Sequence, residues 1–90
     1  MKIVFTENAW KDLSYWIEND ISQVKKIRKL INAIKSSPFT GIGKPEPLKH
    51  QLKGYWSRRI NMEHRLIYEI TDKNKKDQLC TIIQCRYHYR

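Results

Sequence analysis

The hydrophobic period of this chain changes once, and that change limits what it can fold into. Between Ala9 and Ile34 apolar residues recur at helical spacing, whereas after Gly54 they alternate with polar ones. Ala9, Leu13 and Trp16, flanked by Trp10 and Ile17, mark a first helix with Thr6 as its candidate N-cap. Asn19-Asp20 interrupts it, and Asp20 with Gln23 three residues on has the pattern of a capping box for a second helix. There Val24, Ile27, Leu30, Ile31 and Ile34 form an apolar stripe, while Lys25, Lys26, Arg28, Lys29 and Lys35 occupy the remainder. Ser36-Ser37-Pro38 ends the helix, because proline disfavours helical backbone in the residue before it. That basic face is equally readable as a solvated surface or as one turned toward an RNA backbone.

A short strand is expected at Ile3, Val4 and Phe5, and a Gly/Pro-rich loop from Pro38 to His50. Tyr55 to Ile60, His64 to Thr71 and Leu79 to Tyr87 read as three strands joined by turns at Asn61-Met62-Glu63 and Asp72 to Asp77. Turns this short imply antiparallel neighbours. The expected class is therefore α+β, in the order β-α-α-β-β-β, with both helices on one face of an antiparallel sheet. Leu66, Tyr68 and Ile70 would point to the helices. Arg65 would share the other face with Ile67 and Glu69, and Arg59 a face with Tyr55 and Ser57. Ninety residues are expected to form one domain over 1–90, leaving the sheet's second face as a concave surface free to cradle a ligand.

Charge narrows the ligand. Eighteen Lys and Arg against nine Asp and Glu give a formal net charge of +9, a field that attracts polyanions to so small a body. Nucleic acid, or a nucleic-acid-rich particle, is the expected partner. Cys80 and Cys85 stand five apart in one expected strand, an odd spacing that would put them on opposite faces. They are expected to be reduced, semi-buried thiols without a mutual disulfide. No second Cys or His pair stands at metal-ligand spacing. The opening Met1-Lys2-Ile3-Val4-Phe5 is too short an apolar run for a signal peptide, and no stretch is long and apolar enough to span a bilayer, so the cytoplasm is the expected location.

Three places could carry chemistry. Glu46 stands between Pro45 and Pro47, which hold it stiffly, as a positioned general base would need. Taken alone, that stretch favours an ordinary surface glutamate in a rigid turn. Arg58, Arg59 and Arg65 offer planar forks suited to phosphate, although a sheet arginine is more often simply exposed beside a glutamate. The chain closes on Cys85-Arg86-Tyr87-His88-Tyr89-Arg90, where an imidazole could give up a proton and the flanking rings could stack on an unpaired base. A lone terminal histidine is more often incidental. A base, a cation and an acid together are what RNA self-cleavage requires. The sequence has no zinc motif, phosphate-binding glycine loop, nucleophile elbow or acidic two-metal cluster, so no metal or other cofactor is expected.

Four ordered blocks, Gly43-Lys44-Pro45-Glu46-Pro47-Leu48-Lys49-His50, Gly54-Tyr55-Trp56-Ser57-Arg58-Arg59-Ile60, Glu63-His64-Arg65-Leu66 and Cys85-Arg86-Tyr87-His88-Tyr89, resemble the signature blocks of the YoeB/Txe branch of RelE-superfamily toxins. The likeness extends over nearly the whole chain. It implies a microbial-ribonuclease-like fold and a ribosome-dependent endoribonuclease that cuts mRNA in the ribosomal A site, leaving a 2′,3′-cyclic phosphate and a 5′-hydroxyl. A YefM/Axe-like antitoxin would silence it through a segment that folds on contact, and two toxin copies can pair in this family. By the same resemblance Glu46 would take the 2′-OH proton, Arg65 would stabilise the pentavalent transition state, and His88 would protonate the departing 5′-oxygen. Tyr89 would orient the scissile phosphate or stack on substrate. Lys49 and Arg59, with Arg58, Lys44 and Arg86, would bind RNA or the ribosome.

Two features depart from the family pattern. Arg90 extends past the usual terminal Tyr, and the turn from Asp72 to Gln78 is longer and more basic. Two other functions fit the same scaffold: a non-catalytic toxin that poisons gyrase, as ParE-type proteins do, and a basic nucleic-acid-binding module. Neither has a use for Glu46, Arg65, His88 and Tyr89 together.

Overall fold

A computed structural model of the protein describes residues 1–71 and 76–88. The chain forms β1 (Lys2–Phe5), α1 (Glu7–Asn19), α2 (Ile21–Ser36), β2 (Glu46–Pro47), a single 3-10 turn (His50–Leu52), β3 (Tyr55–Arg59), β4 (Arg65–Thr71) and β5 (Leu79–Gln84). The expected caps form. Thr6 accepts a hydrogen bond from the Ala9 amide at 3.2 Å. Asp20 terminates one helix and starts the next: its own N–H reaches the Trp16 carbonyl, and its carboxylate accepts from the Ser22 amide. The Ser22 hydroxyl, its strongest partner, holds the Asp20 carboxyl below the usual carboxylate range. The capping box itself differs from expectation, since the Gln23 side chain meets the Asp20 carboxylate, its backbone N–H being already taken by α1.

Both helices lie on one face of a five-stranded sheet of order β1-β5-β4-β3-β2. Ala9 and Trp16 of α1 and Ile27, Leu30 and Ile34 of α2 pack with Leu66, Tyr68, Ile70, Cys80 and Ile82 from the sheet. Leu30 and Ile34 have no exposed surface, and burying such a side chain contributes roughly 1.5–3 kcal/mol.

The strands differ from the sequence expectation in three ways. The sheet is antiparallel except at one edge, where β1 runs parallel to β5 with Lys2 beside Leu79 and Phe5 beside Ile82. The loop expected from Pro38 to His50 contains β2, an edge strand that pairs Glu46 with Ser57 and tolerates Pro47 because an edge leaves one side unpaired. The last strand stops at Gln84 rather than Tyr87. Side chains of α1 take over the next residue's backbone: the Asp12 carboxylate accepts from the Cys85 amide at 3.0 Å, and the Trp16 indole donates to the Cys85 carbonyl at 2.8 Å.

A β-bulge accounts for the cysteines. Tyr68 pairs with Ile82 and Ile67 with Gln84, so Ile83 is an extra residue on β5. The insertion reverses side-chain parity, and Cys80 and Cys85 both enter the helix-side core as fully buried thiols outside any disulfide among the described residues. They are neither on opposite faces nor semi-buried. Among the described residues no helix is long and apolar enough to cross a membrane.

Burial pushes the Cys80 thiol from 9.0 up to about 12. A raised acid stays protonated in the fold, so its stabilising contribution is complete below pH 9 and is lost as pH rises toward 12. Urea denaturation across this range should show a shallower loss of stability for Cys80→Ala than for wild type. Parallel pH curves would show that the thiol is not protected by the core.

Candidate active site

The carboxylate-bearing segment is positioned by an arginine that the sequence assigned to RNA. Arg58 has no exposed surface. On β3 it pairs with Leu66, which puts its side chain on the helix face. There Nε donates to the Tyr68 hydroxyl at 3.1 Å and Nη1 to the Ile42 carbonyl at 3.0 Å, while Nη2 donates to the carbonyls of Ser37 at 2.7 Å and Thr40 at 2.9 Å. The Tyr68 hydroxyl in turn donates to the Pro38 carbonyl at 2.6 Å. Burial raises the Tyr68 pKa, so the phenol stays a donor. Arg58 is therefore a structural cation that fixes residues 37–42, and its expected role in binding RNA is corrected.

The loop then tightens toward the sheet. Gly43 has φ +82°, and a Cβ there would lie 2.7 Å from Leu30 Cδ2 and 3.1 Å from Arg58 Cβ, so no side chain fits. Its carbonyl accepts from the Arg59 amide at 2.7 Å. Lys44 follows with φ +51°, and Glu46 enters β2 in the extended form that Pro47 favours.

Register brings the remaining groups together. Glu46 pairs with Ser57, Ser57 with Ile67, and Ile67 with Gln84, forming one row across four strands on the face away from the helices. Arg59 and Arg65 pair in the adjacent row. Glu46, Ser57, Arg59 and Arg65 line a cleft of about 320 Å³ together with Lys44 and His88. Arg65 is buried there, and its Nη1 is held by the carbonyls of Asn61, Met62 and His64 at 2.9, 3.3 and 3.1 Å. Fixing one nitrogen of a rigid guanidinium fixes the whole fork.

His88 reaches the cleft because the chain after β5 folds back. The Arg65 amide donates to the Tyr87 carbonyl at 2.9 Å, and the Tyr87 amide, in a residue with φ +66°, donates to His64 Nδ1 at 2.7 Å. His64 itself stands edge-on to Trp16, with ring centroids 4.8 Å apart. The second sheet face is thus partly covered rather than free: Ser57, Arg65, Ile67 and Gln84 are all buried.

Of the residues singled out in the sequence, Lys44, Glu46, Arg59, Arg65 and His88 share the cleft. Lys49 lines an adjoining hollow of about 350 Å³, which also borders Glu46. Arg86 is placed elsewhere. Its guanidinium lies 3.3 Å from the Tyr15 ring centroid and 4.5 Å from that of Tyr87, a stacked cation whose buried Nε has no hydrogen-bond partner among the described residues. Tyr89 and Arg90 lie outside the described residues, as does the basic turn over 72–75. Ser57 and Gln84 were not read as site residues. The polar Gln84 between the apolar Ile82-Ile83 pair and Cys85 was the available signal, but its face depends on the bulge.

The arrangement holds one carboxylate, one imidazole and three cations (Lys44, Arg59, Arg65) around a single hollow. Such a site can bind a phosphodiester, remove a proton on one side and supply one on the other.

The family model described as the YoeB-like toxin of bacterial type II toxin–antitoxin systems matches residues 5–89. Toxin YoeB of a Synechocystis species is 54% identical over 100% of this chain and 99% of that protein. Toxin YoeB of Escherichia coli K12 is 54% identical over 99% of this chain and all of its own length. A YoeB/ParE toxin from Agrobacterium tumefaciens superposes with a TM-score of 0.95 at 47% identity, covering 99% of this chain and 100% of that one. YoeB of Staphylococcus aureus superposes with a TM-score of 0.86 at 46% identity, both as a dimer and in a heterotetrameric YoeB–YefM toxin–antitoxin complex, over 99% of this chain and 98% of that one.

Arg58→Met should lower stability by about 3 kcal/mol, because the orphaned carbonyls of Ser37, Thr40 and Ile42 lose their donor. Arg58→Lys should recover less than half, since an ammonium cannot span these oxygens. Urea denaturation checks both, and a loss below about 1 kcal/mol in the Met variant would contradict the structural assignment.

Proposed function

Because the chain belongs to the YoeB-like toxin family of bacterial type II toxin–antitoxin systems, we propose that it is a ribosome-dependent endoribonuclease that cuts mRNA in the ribosomal A site. The observation that carries this reading is the cleft, where Glu46, Arg65 and His88 meet from β2, β4 and the C-terminal turn beside Lys44 and Arg59.

In the proposed reaction the Glu46 carboxylate removes the proton of a ribose 2′-OH, and the resulting oxygen attacks the adjacent phosphorus. Negative charge grows on the pentavalent phosphorane, which the Arg65 fork offsets by preorganised hydrogen bonds. The P–O5′ bond breaks, and the leaving oxygen takes a proton from the His88 imidazolium, which becomes neutral imidazole. One product ends in a 2′,3′-cyclic phosphate and the other begins with a 5′-hydroxyl. Lys44 and Arg59 hold the flanking phosphates, Lys49 a neighbouring one from the adjoining hollow. Tyr89 would orient the scissile phosphate or stack on substrate. No step draws on a metal or other cofactor, because every proton and charge is handled by a side chain.

The partners follow from the relatives. A YefM-like antitoxin would bind and silence this chain as in the Staphylococcus aureus complex, and two copies would pair as in the dimer of that protein. The charge of +9 suits approach to ribosomal RNA.

Primer extension on a defined message in a purified translation system tests the reading. Wild-type protein should cut at A-site codons. His88→Ala should slow cutting by about 100-fold or more while leaving ribosome binding intact, because proton transfer, not binding, is removed. Arg65→Lys should lose at least roughly tenfold, since it keeps the charge but not the fork. Growth arrest without any cut would instead favour a non-catalytic toxin on this scaffold.

A further inference from the structure

The proposed proton donor sits on a segment that must turn back on itself. Glu46 and Gln84 stand at opposite ends of one cross-strand row, three strand spacings or about 14 Å apart. A histidine continuing along β5 would run out of the cleft. The backbone therefore has to reverse after Gln84 and be held there.

Several anchors hold the turn's beginning. Asp12 and Trp16 grip Cys85, and His64 with the Arg65 amide grips Tyr87. Gln84 reaches His88 itself. Its side chain is buried, and its amide nitrogen donates to the carbonyls of both Arg86, at 2.9 Å, and His88. A carboxamide offers two N–H groups, and two carbonyl acceptors use both, which also fixes which way the amide faces. Gln84 can do this only because of the Ile83 bulge. Without that extra residue its side chain would follow Cys80 and Ile82 into the apolar core. Bulges that re-aim a side chain beside a site are a recurring device of sheets.

We propose that Gln84 is a positioning residue for the cleavage reaction: it clamps the carbonyls of Arg86 and His88, so that the His88 imidazole is held in the cleft opposite Glu46. The inference rests on His88 acting as the proton donor. Proton transfer requires donor and leaving oxygen within hydrogen-bond reach, so loosening the turn should slow the chemical step and leave substrate binding to the cations.

The test is Gln84→Met, which keeps the side chain's length and burial but removes the donors, with Gln84→Asn as a shortened amide. Single-turnover cleavage of ribosome-bound message should slow by at least about tenfold at saturating protein, with the half-saturating concentration unchanged. The His88 imidazole resonances, followed by NMR in a histidine-labelled sample, should shift or broaden while the thermal midpoint stays within about 3 °C of wild type. A wild-type cleavage rate in Gln84→Met overturns the proposal, and so does a loss of rate matched by an equal loss of binding. If the wild-type protein cuts no message, the nuclease reading fails by itself. The clamp is then decided by NMR, where unchanged His88 resonances in Gln84→Met would refute it.

Discussion

A guanidinium without exposed surface lies between the sheet and the loop that leads to Glu46, and the site depends on it. Arg58 replaces the water that residues 37–42 would otherwise need, giving donors to three of their carbonyls and to the Tyr68 hydroxyl. A loop of this composition has no ladder of its own to satisfy its backbone, and an unpaired buried carbonyl is expensive. With the loop fixed, Gly43 can close against Leu30, and the Lys44-Pro45-Glu46 segment is delivered to the edge of β3. Arg58 and Arg59 are neighbours in sequence with opposite tasks. Strand alternation sends the first into the fold and leaves the second exposed beside the cleft.

The cleft is assembled from three parts of the fold. The β3–β4 ladder supplies Ser57, Arg59 and Arg65 from two adjacent rows. The loop supplies Glu46 through a two-residue edge strand. The C-terminal turn supplies His88, tied to α1, to the turn after β3 and to Gln84. The proposed base and acid, carried on separate segments, can face each other across a phosphate, which a single strand could not arrange. The same construction leaves the proposed acid beyond the last residue of β5, where side-chain anchors replace strand pairing.

Much of this was legible in the sequence. The apolar stripe from Val24 to Ile34, the Thr6 and Asp20 caps, and the alternation that sends Leu66, Tyr68 and Ile70 to the core are local patterns, and local patterns survive folding. The ordered blocks around Glu46, Arg65 and His88 pointed to residues that the structure brings into one cleft. What was not legible is non-local. The parallel pairing of β1 with β5 joins the two ends of the chain. The bulge at Ile83 shifts parity by one residue, and with it the faces of Gln84 and Cys85. Strand parity could have placed Arg58 on the core face, but the loop carbonyls that make its burial tolerable come from residues 16 to 21 positions earlier. Arg86 was drawn away from the cleft by the ring of Tyr15, which no motif announced.

In the proposed chemistry Glu46 and His88 move protons for an attack by the RNA's own 2′-hydroxyl. A message carrying a single 2′-deoxyribose on the 5′ side of the scissile phosphate removes that nucleophile, and it is compared with the all-ribose message by mass spectrometry of the fragments. The ribose message should yield a 2′,3′-cyclic phosphate, and the deoxy position should stay uncut. Equal cleavage of both messages, or a 3′-hydroxyl paired with a 5′-phosphate, would contradict that chemistry.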